Sequence, residues 1–286
     1  MLQLKEHIYR VPHFQYPVHS RVHPLCGFPP KCYVKRDDEL GFGISGSKLR
    51  KYRTLLPYLK AQKIEEVIVV GGAFSNNVLG ISQLLIENRM RPLLFLRGRD
   101  EKKGNALFTR LLVPQENIQW FTADKWRHIE KLAQERALKQ THLGIRTTWL
   151  PEGASCKQAL PGALTLSLDI CDNEKEMSLS FDHIFLEAGT AMTAAALILG
   201  LEWIEHPAHV HVLILAGSIS EFNSQLIRCQ KEMISFTGKK VELTNRFTLH
   251  QPETAKSFGS TIEPPSPKGE GFLIPRSQQP GQLHRL

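Results

Sequence analysis

From about residue 30 to residue 250 the chain alternates short apolar runs with segments of helical period, and this alternation constrains its fold more than any other feature. "CYVKR", "EVIVV", "RPLLFLRG", "NIQWFTA", "RTTWLP", "HIFLEA", "HVHVLILAG" and "KVELTNRFTL" read as strands. Between them, "KLRKYRTLLPYLKAQ" repeats Leu49, Tyr52, Leu55, Leu56 and Leu59 at helical spacing, and "NNVLGISQLLIENR" also reads as a helix. "KWRHIEKLAQERALKQ" mixes both charge signs, as a solvated helix face does. Strands separated by helices pair side by side through crossovers, so the fold class is α/β with a mostly parallel sheet.

Bulk properties narrow the functional classes. A chain of 286 residues that is 42% hydrophobic can bury a large core. It has no run of about 18 apolar residues, so we expect no membrane partner. The segment "MLQLKEHIYRVPHFQYPVHS" lacks the apolar stretch of a signal peptide, and we expect none. Five cysteines without a CxxC pair suit reduced, mostly buried thiols, so the expected location is cytoplasmic. The formal charge is +8, but the basic residues are dispersed, without a stripe interleaved with aromatics. A nucleic-acid partner is therefore not expected. Residues 251–286 hold six of the 17 prolines and show no period, so they read as an irregular, poorly ordered tail.

In such sheets ligands sit beyond the carboxyl ends of strands, where loops run into helices. Four junctions there are rich in small and polar residues: "GFGISGSK" (41–48), "GGAFSNN" (71–77), "PEGAS" (151–155) and "EAGTAMTAAA" (187–196). "GFGISG" matches GxGxxG literally. However, the polar "KRDDEL" separates it from its strand, and the next strand ends in two glycines with no carboxylate. Nucleotide binding is thus a minor alternative. The P-loop pattern fails outright, because Lys48 follows Ser47 and precedes Leu49.

Lys48 sits at the mouth of a predicted helix, where the backbone dipole repels cations. Partial burial there favours the neutral amine, which can attack an aldehyde to form a Schiff base. A lysine-bound pyridoxal phosphate also needs an anion cradle, and "AGTAMT" offers Gly189, Thr190 and Thr193 at a helix start. "GGAFSNN" offers Ser75, Asn76 and Asn77 as donors to a phenolate oxygen or to a substrate carboxylate.

"VKRDDELGFGISGSKLRK", "VVGGAFSNN", "LPEGAS" and "EAGTAMTAAA", in that order, resemble pyridoxal-phosphate enzymes of the tryptophan synthase β fold (fold type II). The nearest branch holds 1-aminocyclopropane-1-carboxylate deaminases and D-cysteine desulfhydrases, and the likeness covers about residues 20–260. The resemblance implies two open, twisted, mostly parallel sheets flanked by helices, with the cofactor in the cleft between two domains. Residues 1–60 and 161–250 would form the larger domain and 61–160 the smaller, inserted one, followed by the 251–286 tail. It makes Lys48 the Schiff-base lysine and the base at the substrate's α-carbon. Asn76 would bond the cofactor's phenolate oxygen. Ser75, Asn76 and Asn77 would hold the substrate, with Ser75 counted as catalytic. Gly189, Thr190, Ala191, Met192 and Thr193 would cradle the phosphate.

The implied reaction releases ammonia and a 2-oxo acid from a small amino acid, with sulfide as well from D-cysteine. D-cysteine ranks above 1-aminocyclopropane-1-carboxylate because elimination needs fewer specialised groups. Self-association as a homodimer is implied by the resemblance alone.

Three departures bear on competence. The family's GGNK reads SGSK here, and its GTGST phosphate loop reads GTAMT, so Ala191 and Met192 replace a glycine and a serine. The family's C-terminal tyrosines near the substrate have no counterpart, since no tyrosine follows Tyr58. The alternative they motivate is a pyridoxal-phosphate-binding protein with little or no activity. Finally, "HPAHVHV" offers His206, His209 and His211, the last two on one strand face; with no third ligand at convincing spacing, we expect no metal.

Overall fold

The computed structural model describes residues 1–29, 31–41, 45–100 and 102–252. Residues 42–44 of the GxGxxG match and nearly all of the Pro-rich tail lie outside them. Helix α1 (Leu2–Arg10) buries Leu4 and Ile8. Strands β1 (Val22–Pro24) and β2 (Tyr33–Lys35) then pair antiparallel, Val22 opposite Lys35.

Helix α2 (Leu49–Ala61) buries Leu49, Tyr52, Leu55, Leu56 and Leu59, the residues whose spacing predicts it. It also buries Arg50, Lys51 and Arg53, so it is enclosed on more than its apolar face. Pro57 lies inside it and brings no N–H to the carbonyl of Arg53. The backbone N–H of Phe14 donates to that carbonyl instead, at 2.9 Å. A long-range contact thereby satisfies the acceptor that proline frees.

The next stretch runs β3 (Glu66–Gly72), α3 (Asn76–Glu87), β4 (Arg91–Arg97), α4 (Gly104–Leu112), β5 (Ile118–Phe121), α5 (Ala123–Trp126), α6 (Ile129–His142) and β6 (Thr147–Leu150). Its strands form one sheet in the order β5-β4-β3-β6, parallel throughout. Strand alternation divides the buried residues. Val67, Val69, Leu94, Leu96 and Leu150 join the main core, while Ile68, Val70, Leu93, Phe95 and Phe121 meet Ile129, Ala133 and Ala137 of α6. Helix α6 is thus solvated except along one small-residue face.

The chain continues through α7 (Leu160–Met177), β7 (His183–Ala188), α8 (Met192–Trp203), β8 (His209–Ile214), α9 (Ile219–Thr237) and β9 (Phe247–His250). Strands β7, β8 and β9 form a second parallel sheet, in that order. Two glycines let the helices approach closely. A Cβ on Gly162 would stand 2.0 Å from the carbonyl oxygen of Arg50, and one on Gly200 would stand 2.2 Å from Ser167 Oγ. The α/β class and the two open parallel sheets follow the sequence reading.

One strand is shorter than expected. "KVELTNRFTL" is extended only from Phe247, because Glu202 of α8 draws in the segment before it. Its carboxylate accepts from the N–H and hydroxyl of Thr244, at 3.0 and 2.7 Å, and from Arg246 at 2.9 Å. Among the described residues, no helix is long and apolar enough to cross a membrane.

Candidate active site

Lys48 ends a 3-10 turn, Gly46–Lys48, that runs straight into α2. The "KRDD" stretch anchors this turn. Arg50 is 1% exposed and reaches Asp37 with Nε at 2.7 Å and Asp169 of α7 with Nη2 at 2.6 Å. Lys35 pairs with Asp169 at 2.5 Å, and Ser20 donates its hydroxyl to Asp37 at 2.7 Å. Burial works to raise the Asp37 carboxyl, but the Arg50 contacts, the Ser20 hydroxyl and the charge of Lys35 outweigh it and hold it below its ordinary value. Two basic and two acidic groups therefore satisfy one another beneath the Lys48 turn, as buried charges must.

Lys48 itself is partly buried. Its amine lies 3.4 Å from Ser47 Oγ, and burial lowers its pKa against the raising influence of Glu187 and Asp37. One helical turn on, Lys51 is 2% exposed and donates to the carbonyl of Gly153. Burial and the neighbouring Lys48 charge bring it down to about 7. Both amines on this face therefore resist protonation, which is what a nucleophilic lysine requires.

The predicted loops converge on Lys48. Ser75, Asn76, Asn77 and residues 189–193 line the same cleft of about 2290 Å³, together with Lys48 and Lys51. Ser75 caps α3, its oxygen accepting from the N–H groups of Asn77 and Val78 at 3.2 and 3.3 Å. The hydroxyl proton is left to donate elsewhere. The two asparagines differ. Asn76 is exposed and accepts from Asn105 of α4 at 2.6 Å, whereas Asn77 is buried and accepts from the Tyr52 hydroxyl at 3.0 Å. Among the described residues, Asn77 Nδ2 finds no hydrogen-bond partner.

At the other turn, α8 begins without a side-chain cap, and Met192 N–H folds back onto the Thr190 carbonyl at 2.8 Å. The next first-turn N–H groups have no intrahelical acceptor. Met192 is fully buried in the core, while Thr190 and Thr193 face the cleft side. Ala191 adopts φ 61°, the left-handed conformation that favours glycine. The third loop locks against this one. A Cβ on Gly153 would stand 2.0 Å from Thr190 Oγ1, and Ser155 donates to the same oxygen at 3.2 Å.

Sequence spacing draws attention to Lys48 but passes over Lys51, Arg50 and Asp169. The three-residue interval from Lys48 to Lys51 was a usable signal, since it places both on one helix face. Asp169 lies 119 residues from Arg50 and carries no comparable signal. The three histidines of "HPAHVHV" do not come together. His206 leaves the strand and bonds Glu174 through Nε2 at 2.8 Å, while its Nδ1 accepts from Ala208 N–H at 3.2 Å. Among the described residues, Cys171, Glu174 and His206 form a metal-like group, but both ring nitrogens of His206 are already engaged.

No protein-family model matches the chain. A Pyrococcus furiosus protein provisionally named 1-aminocyclopropane-1-carboxylate deaminase is 25% identical over 213 residues, 74% of this chain and 63% of its own length. The Arabidopsis thaliana mitochondrial bifunctional D-cysteine desulfhydrase/1-aminocyclopropane-1-carboxylate deaminase is 27% identical over 215 residues, 70% of this chain and 52% of its own. The chain therefore spans less than two thirds of the length of these relatives. A crystal structure of an ACC deaminase homologue superposes with a TM-score of 0.76 at 24% identity, covering 87% of this chain and 77% of that one. By sequence the chain is similar to proteins named as 1-aminocyclopropane-1-carboxylate deaminases and D-cysteine desulfhydrases, and it shares the fold of that ACC deaminase homologue.

Proposed function

We propose that the chain is a pyridoxal-phosphate enzyme that deaminates a small amino acid, D-cysteine first and 1-aminocyclopropane-1-carboxylate second. The observation that carries this reading is the convergence of Lys48, its pKa depressed by burial, with the 75–77 and 189–193 turns on one cleft. The residues present fit the cofactor. A buried amide donor, Asn77 Nδ2, lacks a partner among the described residues; α8 opens uncapped; and Gly153 leaves room that a Cβ would fill beside Thr190.

When bound, pyridoxal phosphate supplies an electron sink for charge developing at the substrate's α-carbon. Lys48 would hold the cofactor through its amine, and Asn76 would donate to the phenolate oxygen. The hydroxyls of Thr190 and Thr193, with the backbone at Gly189, Ala191 and Met192 and the free first-turn amides of α8, would hold the phosphate. Ser75, its oxygen occupied by the α3 amides, has only its proton to offer and would donate it to the substrate carboxylate, beside Asn76 and Asn77. The neutral fraction of Lys48, favoured by its burial, would provide the base that takes the α-proton.

We also place the domain division at 61–160, inserted between 1–60 and 161–250, because strands β3–β6 and β7–β9 build separate sheets. Limited proteolysis should cut first at the exposed residues 60–63, at the first of these limits. Free cysteines at 26, 32, 156, 171 and 229 support a cytoplasmic location. The homodimer rests on relationship; sedimentation equilibrium decides it.

The test is direct. Protein purified with pyridoxal phosphate should be yellow, and borohydride should fix the cofactor to the Lys48 peptide. D-cysteine should yield sulfide and pyruvate. A Lys48→Ala protein with an unchanged visible band overturns the reading. A yellow protein inert toward both substrates supports the second reading, cofactor binding with little turnover, which the strained Ala191 at the phosphate turn favours.

A further inference from the structure

The open face of the second sheet carries four histidines that the cofactor site does not use. Parallel pairing puts His183 of β7 beside His209 of β8 and Phe185 beside His211. It puts His211 beside Thr248 of β9 and Leu213 beside His250. His183 and His250 are exposed, and His209 and His211 are partly so. His183 Nδ1 lies 3.1 Å from His211 Nε2, and His211 Nδ1 lies 3.1 Å from His250 Nε2. The His211 ring stacks on Phe185, with centroids 4.4 Å apart and planes 10° from parallel, which fixes its orientation. The His209 ring is 4.8 Å from that of His211 and bonds Thr248 Oγ1 at 2.7 Å.

We propose that His183, His209 and His211 bind one divalent transition-metal ion of the zinc type, with His250 as the positioning residue that sets the His211 tautomer. Two imidazole nitrogens on a tetrahedral zinc stand about 3.3 Å apart, given bonds of about 2.0–2.1 Å. The His183–His211 pair already meets that spacing. If His211 donates its Nδ1 proton to His250, its Nε2 lone pair faces His183 Nδ1 directly. Metal-ligating histidines commonly have their other nitrogen oriented in this way. Without metal the Nδ1 proton of His183 bridges the His183–His211 gap; when the cation takes its place, that proton moves through solvent to His183 Nε2, so both imidazoles ligate as neutral rings. His209 completes three ligands by turning from Thr248, and water fills the fourth position.

The experiment uses the untagged full chain at pH 7.5, with zinc titrated in competition with a chromophoric chelator. One zinc per chain is expected. His211→Gln and His183→Gln should abolish it, and His250→Gln should weaken it about tenfold while the metal still binds. Each variant should keep the wild-type unfolding midpoint without zinc, since these side chains lie on an open face. Cys171→Ser, in the separate Cys171–Glu174–His206 group, should leave zinc affinity unchanged. The proposal is overturned if zinc fails to bind stoichiometrically, if His211→Gln binds it as wild type does, or if Cys171→Ser removes it.

Discussion

Arg50 grips Asp37 with two prongs, Nε 2.7 Å from Oδ2 and Nη2 2.7 Å from Oδ1. Arg50 follows Lys48 by two residues, so this pair ties the lysine turn to the strand-side "KRDD" stretch. The same guanidinium reaches Asp169 on α7 and so joins the turn to the main core. Arg50→Met would leave buried Asp37 without its cation and Asp169 still paired with Lys35, and should lower unfolding free energy by about 3 kcal/mol, read by urea denaturation. Because the folded-state value of Asp37 is depressed, its contribution is complete above the ordinary value of 3.8 and is lost as acid lowers the pH below it.

Lys51 gives the opposite sign. Its folded value is about 7 against an ordinary 10.5, so between those values the unfolded chain holds a proton that the folded chain has released. Stability from this group therefore rises with pH across that window and is least below about pH 7. Lys51→Met removes the titration. Its stability relative to wild type should be most favourable at pH 6.5 and should decline by pH 9, measured by urea unfolding at both. A difference independent of pH would show that Lys51 is not held neutral.

Ala191 occupies a left-handed position, φ 61°, at the mouth of α8. A side chain there is strained by about 1 kcal/mol relative to glycine. Ala191→Gly should raise stability by about 0.5–1 kcal/mol, and it should tighten pyridoxal phosphate binding if this turn holds the phosphate. Thermal unfolding and cofactor titration check the two effects separately.

Gly153 combines φ 65° with contact against Thr190. Gly153→Ala would force a Cβ to within 2.0 Å of Thr190 Oγ1, so the 151–155 loop and the phosphate turn must separate. Expected outcomes are a loss of about 2 kcal/mol or more and weaker cofactor retention. Thr190→Ala in the same background should recover part of the stability, which a purely local strain at Gly153 would not allow.

Much of this is legible in the sequence. Leu49, Tyr52, Leu55, Leu56 and Leu59 announce α2 because a helix repeats every 3.6 residues, and the same five side chains are buried. Small residues after apolar strands mark the ligand-side turns because crossovers leave them all at one end of the sheets. Pro57 was legible only as an anomaly, and it is resolved by Phe14, distant in sequence.

What sequence alone determined was local: element type, the order of the loops and the identity of the lysine at the helix mouth. Each follows from interactions within a few residues of the chain. Tertiary structure alone decided which charges meet and which nitrogens share space. Asp169 reaches Arg50, Gly153 receives Lys51, and His183 and His250 flank His211 across three strands. Strand pairing and helix packing join residues by register, and no spacing along one strand encodes which strand will lie beside it. The "HPAHVHV" motif alone does not show that His183 lies beside His209, because that neighbour comes from the next strand.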